Sequence, residues 1–236
     1  MQIHTSFIDI TQQNILMRKM NKTVPALIVA GIAALSPATA SANPAARQRS
    51  ALTEQASNKH AALVRAARQF LSTGYNYQGR NTHKFPGLDC LGLVFLSIQH
   101  VYGIPWQNWS RGNPDLKPSV LVTQLNRTSK PTLHDISKYS QNPKDLFAKL
   151  KEGDVIFFLT TGKLVRDESM AETSEGNDLY GLHVAIYVGN GKIIHASPFS
   201  EGTGEWHSGY AVVEESLISF MRNNGFSYFV STSVKP

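Results

Sequence analysis

Hydrophobic side chains recur at helical spacing directly after residue 90. Asp89 precedes them as a good N-cap residue, and Gly103 followed by Pro105 is a typical helix end. The periodic apolar positions are Leu91, Val94, Phe95, Ile98 and Val101. The pattern therefore predicts a buried helix that begins at Cys90 and ends near Gly103.

A second helix is predicted upstream, and strands are predicted downstream. Residues 60–71 carry one apolar face at helical spacing, whereas beyond residue 150 the period changes to two, which is typical of strands. The predicted strands are 154–159, 183–188, 192–197, 210–213 and 226–233, with short helices at 144–150 and 214–223. We expect residues 104–149 to be otherwise irregular because of their prolines, and residues 160–182 to form a polar loop. The length and polarity of that loop, and its position just before His183, favour a mobile flap bordering the Cys90 cleft. Helices followed by an antiparallel sheet indicate an α+β domain.

The alternation of apolar and polar residues also predicts the register of the hairpin formed by 183–188 and 192–197, which contains His183 and His195. A two-residue Asn-Gly turn is the usual interpretation, and it would place these histidines on opposite faces. A three-residue loop at 189–191 instead pairs Ala185 with His195 and gathers the apolar side chains of one face. Because a one-residue slip would mix the faces, burial favours the three-residue loop. We therefore expect His183 and His195 on one face, about 7–8 Å apart at Cβ.

The N-terminus has the composition of a secretory signal peptide. Basic residues precede an apolar run at 24–35 that is too short to span a bilayer, and an Ala-Ser-Ala cleavage signature ends at Ala42. Translation from Met17 or Met20 fits this pattern better than translation from residue 1, and a retained membrane anchor is the alternative. We expect a periplasmic or secreted protein. The predicted division is a signal peptide at 1–42, a loose leader at 43–58 and one catalytic domain at 59–236.

Cys90 is the only cysteine in the chain, so no internal disulfide can form. A free cysteine is usually a small buried hydrophobe. At a helix start, however, the backbone N–H groups and the helix dipole favour a thiolate, so we expect a lowered pKa for this thiol. A cysteine, a histidine base and a residue that orients the base make up a thiol nucleophile site, which His183 and His195 would complete.

Three segments carry a family resemblance. Residues 88–94 (LDCLGLV) resemble the D-C-S-G-L-V motif of the NlpC family of bacterial cell-wall cysteine peptidases, and residues 151–158 (KEGDVIFF) resemble its P-G-D-L-V-F-F strand. Residues 183–196 (HVAIYVGNGKIIHA) resemble its histidine hairpin, and Tyr75 matches the tyrosine ahead of the cysteine. Leu91 stands where the family has serine, so the contacts beside the nucleophile are expected to differ.

The resemblance implies a papain-like fold, with N-terminal helices and the nucleophile helix packed on an antiparallel sheet. It implies hydrolysis of an amide bond in peptidoglycan stem peptides, of the D-glutamyl–diamino acid type, without a cofactor or metal. Cys90 would be the nucleophile, His183 the base and His195 the residue that orients it. Tyr75 and Asp89 would lie beside the oxyanion and substrate, with the backbone N–H of Cys90 in the oxyanion hole.

Other interpretations remain open at this point. An amidase or acyl-transfer enzyme of related fold would act on another amide or thioester. A metal site would use His183, His195 and a third ligand such as His207, although no H-E-x-x-H motif is present. A catalytically inactive binding module is the third alternative. The formal charge of +6 is spread along the chain, which argues against a nucleic-acid groove and predicts mild attraction to anionic surfaces.

Overall fold

The N-terminal helix α1 (Pro44–Arg68) is longer than predicted. The computed structural model describes residues 44–110, 112, 114, 116–128, 130–162, 167–197 and 211–235, so the predicted signal peptide lies outside the described residues. The prediction of a loose leader was wrong for its described part, because that stretch is rich in strong helix formers and no glycine or proline interrupts it. None of the described helices has the length and apolar character needed to cross a membrane.

Helix α2 (Cys90–Tyr102) confirms the predicted helix and both of its ends. The Asp89 carboxylate accepts the backbone N–H of Gly92 at 2.6 Å, which caps the first turn. Gly103 adopts a left-handed conformation, with φ of 68°, and its N–H donates to the carbonyl of Gln99. The first residue of this helix, and therefore the thiol, is held by a cap that the sequence specifies.

Residues 104–149 are more ordered than predicted. The short helix predicted at 144–150 is confirmed, with slightly different bounds. That helix is α5 (Pro143–Phe147), and the additional elements are α3 (Trp106–Ser110), α4 (Pro118–Leu125), β1 (Thr132–Asp135) and a 3-10 helix (Ile136–Tyr139). Two of these prolines, Pro118 and Pro143, begin α4 and α5 instead, where the missing N–H costs no hydrogen bond.

Within the described residues, seven antiparallel strands form the sheet, in the order β1-β7-β2-β4-β5-β6 with β3 beside β4. Their bounds are β2 (Val155–Thr160), β3 (Ala171–Glu172), β4 (Asp178–Tyr187), β5 (Lys192–Ala196), β6 (Val212–Ser216) and β7 (Tyr228–Thr232), with helix α6 (Leu217–Asn223) before β7. The α+β architecture is confirmed. Helices α1, α2 and α4 pack on one face of the sheet, against strand residues such as Val184 and Ile186. Residues of α5 and α6, among them Phe220, cover the other face, which includes Phe158 of β2.

The hairpin has the predicted register. Ile186 pairs with Ile194 and Tyr187 with Ile193. The loop is closed where the N–H of Val188 donates to the carbonyl of Lys192 at 2.9 Å. The three-residue loop at 189–191 is therefore confirmed, and His183 and His195 lie on one face.

The segment predicted as a polar loop at 160–182 is partly a hairpin, and the loop prediction was wrong there. Strand β3 pairs with the first residues of β4, and Leu179 is fully buried. The Ser119 hydroxyl of α4 donates to the Asp167 carboxylate, so the segments 104–149 and 160–182 contact each other. Residues 163–166 lie outside the described residues. The hypothesis that 160–182 is a mobile flap over the cleft stays a hypothesis.

Replacing Gly92 by alanine is expected to destabilise the protein and displace the nucleophile helix. A Cβ at this position would lie well inside contact distance of the Gly79 carbonyl oxygen and 3.1 Å from Nη1 of Arg80. We expect a loss of about 1–3 kcal/mol in the free energy of unfolding, measured by urea denaturation. Gly162→Ala is the control, because among the described residues its Cβ would meet only the Thr160 hydroxyl, at 3.8 Å. Equal stability of Gly92→Ala and wild type would contradict this account.

Candidate active site

Cys90 occupies the first position of α2, where the helix end meets strand β4. The half-buried thiol receives hydrogen bonds from the backbone N–H groups of Leu91 and Val184, and Val184 is the residue after His183. The structure thus brings the sulfur to the backbone of the strand that carries the first histidine. The start of α2 and strand β4 of the hairpin therefore meet at the thiol.

The expectation of a lowered thiol pKa was wrong for this state of the protein. Burial, and next the charge of Asp89, raise the pKa of Cys90 to about 12. The backbone hydrogen bonds and Arg80 act in the opposite direction but do not outweigh burial. At neutral pH the resting group is therefore a protonated thiol, and only its deprotonation would give a nucleophile.

The loop before α2 packs against the thiol and holds Asp89 in place. Burial, followed by the charges of Cys90 and Asp89, raises the pKa of Tyr75, so its phenol stays protonated and can donate a hydrogen bond. The Asp89 carboxylate accepts from the backbone N–H of Gln78 at 2.9 Å, from Gly92 and from Arg80. Since these donors come from the protein itself, contact of Asp89 with a substrate stays a prediction based on the resemblance.

Arg80 is a structural residue of this loop that the sequence analysis missed. Its guanidinium is fully buried, lies 2.6 Å from Oδ1 of Asp89 and donates to the carbonyl oxygens of Gly79 and Pro114. A buried arginine requires such partners. Its position in a turn-rich segment gave no indication of burial.

The two histidines form a hydrogen-bonded pair in an apolar surround. Nε2 of His183 and Nδ1 of His195 are 3.0 Å apart, and the rings are nearly perpendicular at 89°. Phe158 and Phe220 pack against the pair. Burial first, and then His195, lower the pKa of His183 well below its ordinary value. His183 is therefore a neutral imidazole at rest and is able to accept a proton.

Glu215 extends this chain of hydrogen bonds and was not identified from the sequence. Its Oε1 lies 2.6 Å from Nε2 of His195. The sequence analysis assigned residues 214–223 to a helix, but β6 continues to Ser216 and the helix begins at Leu217. The available signal was that Val213 and Glu215, two residues apart, would share one face of a strand. Two positions are too few to show where the strand ends, because no element was predicted for the residues that connect it to the preceding strand.

A metal centre finds no support in the described part of the chain. No group of three or more histidine, cysteine, aspartate or glutamate side chains is arranged there to hold an ion. His207, the third ligand of that alternative, lies outside the described residues. The Nδ1 of His195 contacts the other histidine, and its Nε2 contacts Glu215. Both ring nitrogens therefore have protein partners.

We expect slow alkylation of Cys90 by iodoacetamide at neutral pH, with a rate that rises about tenfold per pH unit from about pH 7 to about pH 10. The reason is the pKa of about 12, because only the thiolate reacts and its fraction grows until the pH reaches the pKa. The measurement is the mass of the protein against time at each pH. Glutathione is the control, since its rate levels off near the pKa of an ordinary thiol. A Cys90 rate that is independent of pH over this range would contradict the protonated resting thiol.

The sequence matches the profile of the NlpC/P60 family over residues 72–222, which is well over half of the chain. A search of curated proteins finds no match.

Three similar solved structures come from different organisms. NlpC1 from Trichomonas vaginalis is 18% identical, with a TM-score of 0.41, over 74% of this chain and 44% of its own. The peptidoglycan hydrolase RipB from Mycobacterium tuberculosis is 20% identical, with a TM-score of 0.38, over 83% of this chain and 74% of its own. An NlpC/P60 family protein from Bacillus cereus is 19% identical, with a TM-score of 0.39, over 75% of this chain and 40% of its own. The chain thus spans less than half the length of the first and third of these proteins.

Proposed function

This chain belongs to the NlpC/P60 family, and on that premise we propose that it is a cysteine peptidase that hydrolyses an amide bond in peptidoglycan stem peptides. The observation that carries the proposal is the meeting of a thiol at a helix start with strand β4. There the thiol accepts a hydrogen bond from the backbone N–H of Val184, the residue after His183, and His183 is hydrogen-bonded to His195. These are the nucleophile, the base and the orienting group that hydrolysis by a thiol requires.

In the proposed reaction, His183 takes the thiol proton while the sulfur of Cys90 attacks the carbonyl carbon. The bond to His195 occupies Nε2 of His183, so Nδ1 is the nitrogen left to receive the proton. The tetrahedral intermediate collapses with cleavage of the C–N bond, and the proton passes from His183 to the leaving amine. Water then hydrolyses the thioester, giving a carboxylic acid and regenerating the thiol.

The oxyanion formed in both steps needs hydrogen-bond donors. We propose that the backbone N–H of Cys90 and the Tyr75 hydroxyl supply them. The raised pKa of Tyr75 supports this role, because a protonated phenol donates.

Peptidoglycan is proposed as the substrate on the basis of the family and of the similar hydrolase RipB. Within it, the finer proposal is the bond between D-glutamate and the diamino acid. We also propose that residues 1–42 direct export to the periplasm or the cell exterior, where the cell wall lies. Residues 1–42 hold three of the basic residues and one acidic residue, so the protein starting at Asn43 has a formal charge of +4, which supports contact with anionic wall polymers.

The test is incubation of the protein starting at Asn43 with muropeptides of defined structure, followed by mass spectrometry. We expect a stem peptide to gain one water and split between D-glutamate and the diamino acid. Cleavage only at another amide, such as the one that joins the glycan to the peptide, would contradict the finer proposal and favour an amidase. No cleavage of any muropeptide, together with hydrolysis of an unrelated amide or thioester, would contradict peptidoglycan as the substrate.

A further inference from the structure

We propose that Glu215 is a positioning residue that selects the tautomers of both histidines, so that Nδ1 of His183 carries the lone pair that can accept the thiol proton. The proposal deepens the proposed function and rests on it. Three consecutive groups carry it: the carboxylate, His195 and His183, joined by hydrogen bonds of 2.6 and 3.0 Å.

The sheet register brings the carboxylate to the histidine. His195 pairs with Val213, and Glu215 lies two residues further along β6, on the same face of the sheet. The His195 side chain has no exposed surface, whereas a quarter of the Glu215 side chain is exposed. The carboxylate therefore stands at the solvent edge of a buried hydrogen-bond chain, and solvent reaches that chain through it.

The direction of each hydrogen bond follows from what a carboxylate can do. An ionised carboxylate only accepts, so Nε2 of His195 carries the hydrogen and donates it to Glu215. In a neutral His195 the other nitrogen, Nδ1, is then an acceptor. Nε2 of His183 donates to it, and Nδ1 of His183 is left with a lone pair.

Without the carboxylate, the opposite arrangement is equally available. His195 can then carry its hydrogen on Nδ1 and donate to Nε2 of His183, which places the hydrogen of His183 on Nδ1. In that form His183 has no lone pair for the thiol proton, so the base is lost. The resting thiol is protonated, so this loss stops the first step.

Glu214 provides a matched control on the same strand. It points to the opposite face, where it forms ion pairs with Arg68 at 3.1 Å and Lys192 at 3.6 Å. Neutralising Glu214 removes the same charge from the same strand but leaves the chain of hydrogen bonds through His195 intact.

The experiment compares wild type with Glu215→Ala, Glu215→Gln and Glu214→Gln. The readouts are the ring ¹⁵N chemical shifts of His183 and His195, and kcat and KM on a cleaved muropeptide. For Glu215→Ala we expect mixed tautomers and a kcat lowered about 10- to 100-fold, with KM changed less than about twofold. Glu215→Gln keeps a carbonyl oxygen that accepts from His195. It should restore the wild-type tautomers and most of kcat, and Glu214→Gln should match wild type.

Wild-type tautomers in Glu215→Ala would overturn the proposal, as would equal losses of kcat in Glu215→Ala and Glu214→Gln. If Glu215→Ala does not fold, Glu215→Ser takes its place, because the shorter side chain cannot reach His195. A wild-type protein that shows the expected tautomers but cleaves no muropeptide would contradict the proposed function and not the role of Glu215. Cleavage that does not depend on Glu215 would overturn the role of Glu215 alone.

Discussion

Replacing Cys90 by alanine is expected to lower muropeptide hydrolysis by about 10⁴-fold or more, because the bond-forming atom is removed and only binding and oxyanion stabilisation remain. Stability should change by no more than about 1 kcal/mol, since only one half-buried sulfur is lost. The rate is measured by mass spectrometry of the products, and the free energy of unfolding by urea denaturation.

Ser97→Ala is the control for this substitution. Ser97 lies in the same helix, and its buried hydroxyl donates to the carbonyl of Leu93 at 2.8 Å, away from the thiol. This variant also loses one heteroatom from α2, and it should keep wild-type activity. Wild-type cleavage of every muropeptide by Cys90→Ala would refute the cysteine-peptidase proposal.

Replacing His183 by alanine is expected to lower kcat by about 10²- to 10⁴-fold, because the thiol loses its base and the leaving amine its proton donor. His195→Ala should be milder, and His195→Asn or His195→Gln milder still, because orienting His183 requires only a hydrogen-bond acceptor. The measurement is kcat on the same muropeptide for each variant.

The control is a histidine of the same sheet outside the proposed site. His134 is buried, stacks on Phe229 and shares a hydrogen bond of 2.9 Å with the Ser231 hydroxyl. His134→Asn should lower stability but leave the activity of the folded protein unchanged. A larger loss of kcat in His134→Asn than in His183→Ala would contradict the assignment of the base.

The sequence predicted those parts of the site that depend on local patterns. Asp89 predicted the helix start because an aspartate satisfies backbone N–H groups that a first turn leaves free. The need to bury apolar side chains together predicted the hairpin register, because only one pairing gathers them on the face opposite His183 and His195. The structure confirms both predictions.

Long-range contacts were out of reach of these patterns. Glu215 meets His195 across the pairing of β5 with β6, and the sequence that connects these two strands does not fix their register. Arg80 is buried by contacts with residues of α2 and the segment after α3. The strand pattern around Glu215 is too short to reveal its contact, and Arg80 leaves no periodic signal, so both contacts become visible only in the folded chain.

The pKa of the Cys90 thiol was predicted to shift in the wrong direction, because the effect of the helix N-terminus was considered without the opposing effect of burial. A helix N-terminus stabilises a negative charge by about 0.3–1 kcal/mol, which is less than one pKa unit. Full burial can shift a pKa by several units. For Cys90 burial is the larger effect, and it raises the pKa to about 12.

The most direct test of the central claim is the mass of the enzyme itself during turnover. The protein is mixed with a cleaved muropeptide, quenched in acid within the first turnover, and mapped by peptide mass spectrometry. The account predicts a thioester whose added mass equals the acyl half of the substrate, attached to the peptide that contains Cys90. An acyl group on another residue, or continued release of the amine product after Cys90 has been fully alkylated, would contradict it.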